Sequence, residues 1–150
     1  MLNNDFVISN GFLEKYTGNK TNIVIPEEVT AISPWSFMSV YSPFTLTLSS
    51  AMECSFDELL SAGLTVLNIS AGTRFKCTSC ALDKTSSFLK LLKEINVDTE
   101  NPYCASLNGI LYSKDMSTLY ACPASYEGDV VIPPTVTTIA DSAFGCCKYI

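Results

Sequence analysis

The sequence predicts an α/β repeat fold: a solenoid of short parallel strands, with short helices or turns on the opposite side and β-hairpins inserted along the way. Two observations carry this. The stretch IVIPEEVTAISPWSF at 23–37 returns as VVIPPTVTTIADSAF at 130–144, with Ile25 kept as Ile132, Pro26 as Pro133, Val29 as Val136, Ile32 as Ile139 and Phe37 as Phe144. What is kept is apolar, proline or small, which is the chemistry of a scaffold. Short segments with one outward residue between two inward ones also recur, at Ile23, Leu46, Leu67 and Ile95, after steps of 23, 21 and 28 residues. Steps in the low twenties match the leucine-rich repeat, whose units each add one strand to a parallel sheet and bury their apolar faces only by stacking.

Each element has a local reason. The opening NGFLEKYTGNKTNIVIP parallels NGILYSKDMSTLYACPASYEGDVVIP and is read as an N-terminal hairpin, segment 1–21. A first repeat occupies 22–44, where Pro26 directly follows the strand and ends ladder pairing because it has no N–H. Residues 45–93 read as degenerate repeats. Within them Ser55 and Glu58 form a capping box ahead of Leu59, Leu60 and Gly63, predicting a short helix. Phe88, Leu89, Leu91 and Leu92 predict a second, from about Ser86 to Leu92. Residues 94–128 hold a strand followed by an inserted hairpin, with alternating runs at 110–112 and 118–121 around the polar turn SKDMS. Asn108-Gly109 aligns with Asn10-Gly11, so hairpin plus repeat reads as a larger duplicated unit. The last segment, 129–150, is expected to be an incomplete repeat, and the chain a piece of a longer array.

The run from Ile95 to Ile150, with its IP, VT-x-I, AF and following Cys, closely resembles the BspA-like leucine-rich repeat family, and residues 5–37 match too. Trp35 and Ser36 replace the usual small residues there, no Cys follows Phe37, and residues 40–93 keep only the strand spacing. The resemblance implies a right-handed solenoid with a role in recognition. Members are often surface proteins linked to adhesion and host-protein binding, and the family has no catalytic residues to carry over.

Composition narrows the chemistry. Hydrophobic residues make up 47% of the 150 and charged ones 16%, an ordered, core-rich chain. Fifteen acidic against nine basic residues leave a net charge of -6, which disfavours nucleic acid and anionic lipid. There is no histidine, the commonest general base and metal ligand, so triads and most metalloenzyme readings fall away. Adjacent carboxylates, Glu27 with Glu28 and Asp57 with Glu58, point apart on a turn or helix. Seven cysteines in a domain that needs no staple favour reduced, buried thiols over a disulfide framework. Cys77 and Cys80 form a single CxxC, half of a zinc site or a redox pair, without a second CxxC to complete it. No phosphate-binding glycine motif occurs, and no cofactor or metal is expected. Tyr112, Tyr120 and Tyr126 cluster near the hairpin, where cross-strand packing is favoured over an interface.

The candidate binding surface is the outward middle residue of each strand: Val24, Thr47, Asn68, Asn96 and Val131. It suits a protein or glycan ligand. The expected function is a non-enzymatic protein-binding or adhesion module, with a structural spacer presenting another domain as the alternative. No signal peptide or membrane-spanning run is visible; the resemblance points to the cell surface or secretion, and a cytoplasmic location stays open.

Overall fold

The structure, a computed structural model, describes residues 5–76, 88–145 and 147. The chain opens with an antiparallel hairpin of β1 (Phe6–Ser9) and β2 (Phe12–Tyr16). At its turn Asn10 and Gly11 have φ of 51° and 77°, the left-handed pair a two-residue hairpin turn needs. Next come β3 (Asn22–Val24) and β4 (Ala31–Ile32), then β5 (Phe44–Thr47) and β6 (Glu53–Ser55). A single 3-10 turn, Phe56–Glu58, separates β6 from β7 (Leu64–Ile69) and β8 (Arg74–Lys76). After β9 (Glu94–Val97) the chain runs through a meander of β10 (Cys104–Leu107), β11 (Ile110–Ser113) and β12 (Thr118–Ala121), and ends its regular structure at β13 (Thr138–Ile139).

The four strands predicted from spacing form one parallel sheet in the order β3-β5-β7-β9. Ile23 lies opposite Leu46, Leu46 opposite Leu67, and Leu67 opposite Ile95, so the inward positions make a continuous row that is at most 1% exposed. A second buried row, Ile25, Leu48 and Ile69, runs beside it. Each such side chain is worth about 1.5–3 kcal/mol on burial, which no isolated three-residue strand can collect. The parallel pair β6-β8 closes the same core from another side, bringing in Cys54, Phe56 and Phe75.

On that side the structure is poorer in helix than the sequence suggests. Ser55 and Glu58 do form the capping box, but the helix it starts is one 3-10 turn, followed by Leu59 in a non-helical conformation. The second expected helix is a turn over its described part, 88–92. Leu89 has φ 58°, and the backbone of this stretch bonds outward: Leu89 N donates to Ser61 O, and Leu92 O accepts from Ser125 N. Leu89 and Leu92 are buried as predicted, so a spacing of three here marks a turn with two inward residues.

The duplication extends to individual hydrogen bonds. Val29 N donates to Pro26 O and Val136 N to Pro133 O, both at 3.0 Å. Thr30 N bonds Gly11 O as Thr137 N bonds Ser117 O, both at 2.8 Å, and Leu13 pairs with Ile32 as Leu119 does with Ile139. The first hairpin therefore corresponds to β11-β12, with Ser117 in the place of Gly11. This corrects the alignment of Asn10-Gly11 with Asn108-Gly109: the second Asn-Gly turn has the same geometry, φ 51° and 79°, but joins β10 to β11, one hairpin earlier. Turn chemistry repeats wherever a tight hairpin is needed, so it is a poor marker of which hairpin is which.

The two copies differ in what covers them. Ile25, Val29, Ile32 and Phe37 are all buried in the main core, whereas Ile132 and Ile139, the counterparts of Ile25 and Ile32, are exposed. The segment Thr47–Glu53 lies over the first copy, with Ile25 N donating to Thr47 O, Ser49 Oγ to Val29 O and Glu53 N to Thr30 O.

Candidate functional site

The parallel register brings four of the five expected stripe residues together. Val24 is opposite Thr47, Thr47 opposite Asn68, and Asn68 opposite Asn96. Since the residues just before them in each strand point into the core, these four point away from it. Val24 is 58% exposed and the other three are half-buried. The polar three are joined side chain to side chain: Asn68 Nδ2 donates to Thr47 Oγ1, and Asn96 Nδ2 to Asn68 Oδ1, each at 3.2 Å. Each amide can still make further hydrogen bonds. Beside them Thr47, Asn68, Asn96, Ser70 and Asp98 border a shallow depression of about 300 Å³.

Val131 lies off this stripe. The edge of the sheet beyond β9 is taken by the meander, with Ile95 N donating to Gly109 O and Val97 N to Ser106 Oγ. Residues 130–132 form no strand, and Val131 stands 80% exposed in an unpaired segment. A second outward row escaped the sequence reading: Asn22, Thr45, Val66 and Glu94, in register one pleat away. The alternation that marks Thr47 as outward marks Thr45 equally, so the signal was present in the strand period.

The other candidates have structural occupations. Glu27 accepts from Ser50 N at 3.1 Å, and Glu58 caps the 3-10 turn through Ser55. Tyr112 is buried, and Tyr120 and Tyr126 pack against hydrophobic clusters, in line with packing. Among the described residues Cys54, Cys104 and Cys122 are buried. Burial, with Glu58 and Glu53 nearby, pushes the Cys54 thiol far up; contact with the Cys147 thiol and burial do the same to Cys122. Neither is a thiolate nucleophile at neutral pH. Cys77, Cys80 and Cys146 lie outside the described residues. No group of three or more metal-ligating side chains is poised to hold an ion among the described residues.

With this geometry in view, two solved structures are similar to the chain. A leucine-rich repeat protein from Eubacterium ventriosum matches 91% of it at 18% identity with a TM-score of 0.60. The pneumococcal vaccine antigen PcpA matches 93% at 21% identity with a TM-score of 0.61. The fold is that of a leucine-rich-repeat solenoid. The chain spans 41% and 35% of the length of these two neighbours. Its sequence matches no family model and no curated protein. No helix among the described residues is long and apolar enough to cross a membrane.

Proposed function

We propose that this leucine-rich-repeat solenoid is a non-enzymatic module that binds a protein or glycan partner through its parallel sheet, in the manner of the BspA-like proteins its motifs resemble. The observation that carries this reading is the register-matched row Val24, Thr47, Asn68 and Asn96, with its linked amides at the lip of a depression. Such a row offers donors and acceptors at the spacing of a sheet and carries no group able to act as acid, base or nucleophile. Location at a cell surface fits the same reading, and the naming of one neighbour as a vaccine antigen supports it.

The test is a screen of the chain against displayed extracellular proteins and a glycan array, run in parallel with the T47K/N68K/N96K variant. Loss of the wild-type binders, with the far-UV spectrum and cooperative unfolding retained, is the expected result. Unchanged binding by a folded variant removes the stripe as the site. A wild-type chain with no binders at all favours the spacer reading.

A further inference from the structure

A second concavity, of about 380 Å³, lies between the segment after β2 and the segment leading into β5, and none of its residues belongs to the stripe. Both walls are built on close approach. A Cβ on Gly18 would fall on the Tyr16 hydroxyl and Asp5, and one on Gly63 would fall on the carbonyls of Val40 and Ser42. The first wall is tied by Thr17 N to Asp5 O at 2.7 Å and Lys20 N to Tyr16 Oη at 3.2 Å. Phe44 N to Gly63 O at 3.0 Å ties the second, and Thr45 N to Thr21 O at 2.8 Å links the two. Beneath them the Tyr16 ring is packed between Phe6 and Phe37, at 5.1 and 5.7 Å. The groove is thus held open by the fold, and a ligand entering it loses little affinity to ordering the protein.

Its lining has a definite chemistry. Thr17, Thr21, Ser39 and Ser42 supply hydroxyls and Asn19 an amide, while Tyr41 lies 76% exposed at the border. Lys15 and Lys20 also line it, and with the Asp5 carboxylate beside Gly18 offsetting Lys20, the Lys15 ammonium leaves the groove locally positive in a chain of net charge -6. Lys20 is paired with Asp5 at 3.1 Å; Lys15 makes no ion pair among the described residues. A purely apolar ligand would strand the hydroxyls, and a cation would meet the lysines. A sugar ring has an apolar C–H face to lay on an aromatic ring and hydroxyls that both donate and accept. A carboxylate on that sugar gives Lys15 a charge-assisted partner.

We infer that this groove binds a carboxylated sugar at the end of a glycan, its ring against Tyr41, its hydroxyls among the Ser, Thr and Asn19 side chains, and its carboxylate toward Lys15. The site is separate from the stripe and stands or falls without it.

The experiment titrates the full chain, 15N-labelled, with N-acetylneuraminic acid and glucuronic acid, using glucose as the uncharged comparator and inorganic phosphate as the anion without a ring. Saturable amide shifts confined to 17–21 and 39–43, with Kd on the order of 1 mM for a single sugar, are expected for the acids. Glucose should bind roughly tenfold more weakly, and phosphate should not reproduce the pattern. Y41A and K15Q, both exposed, should each weaken binding at least about fivefold with the rest of the spectrum in place, and T47K/N68K/N96K should bind as wild type. Absence of saturable shifts in the two segments overturns the assignment. So does phosphate matching the acids, or indifference to both Y41A and K15Q.

Discussion

At the scale of single residues, the turn that closes β11-β12 shows how a polar loop is held. The Asp115 carboxylate accepts from Ser113 Oγ and Ser117 Oγ, both at 2.7 Å, and from Ser117 N at 3.0 Å. These bonds to the ionised form, the Ser113 one first, hold its pKa down at about 2. A depressed carboxylate contributes stability that is fully present above its unfolded value near 4 and disappears as pH falls through the folded value. The advantage of wild type over D115N should therefore be constant above about pH 5 and vanish between about pH 4 and pH 2, as read from unfolding midpoints in a pH series. Much of the candidate site was readable at this scale too. Thr47, Asn68 and Asn96 follow from strand period alone, because the aliphatic residues flanking them had to face inward. Their mutual hydrogen bonds were not readable, since these depend on the parallel register between units, nor was the groove beside Tyr41, which two loops distant in sequence enclose together.

At the scale of elements, the two IP-to-Phe copies form a controlled comparison within one chain. Ile32 and Ile139 occupy the same hydrogen-bonded position, yet one is 4% exposed and the other 49%. Ile32→Ala should cost about 2–4 kcal/mol through lost transfer energy and a cavity, whereas Ile139→Ala should cost under about 1 kcal/mol. Denaturant unfolding of the two variants measures this directly, and equal costs would contradict the difference in cover. The same contrast explains what the sequence left hidden. Strand spacing and the capping box reported local structure faithfully, but burial depends on which neighbour is stacked above. The leucines at 89–92 misled in another way: three apolar residues in four suit a helix, and here the backbone instead bonds to Ser61 and Ser125 on other turns of the solenoid. Long-range demand of that kind overrides local propensity.

At the scale of the whole molecule, the core is divided. One buried cluster spans Leu13 to Ala121, and a smaller one gathers Ile110, Tyr112, Leu119, Cys122 and Ala143, with Val130, Val136 and Phe144 packed partly against it. A stacked array transmits stability between neighbours, so a unit with a neighbour on one side opens at a lower free energy than one enclosed on both. Native-state amide exchange should show it: amides of 136–145 are expected to exchange first, and those of β5 and β7 last. Uniform protection across the chain would indicate a single cooperative core. The exposure of Ile132 and Ile139 thus bears on which amides are protected as well as on which side chains pack. Asn96 sits on β9, the strand that borders the meander, while Thr47 and Asn68 lie on strands paired on both sides, so within the ladder Asn96 is expected to lose protection before the other two.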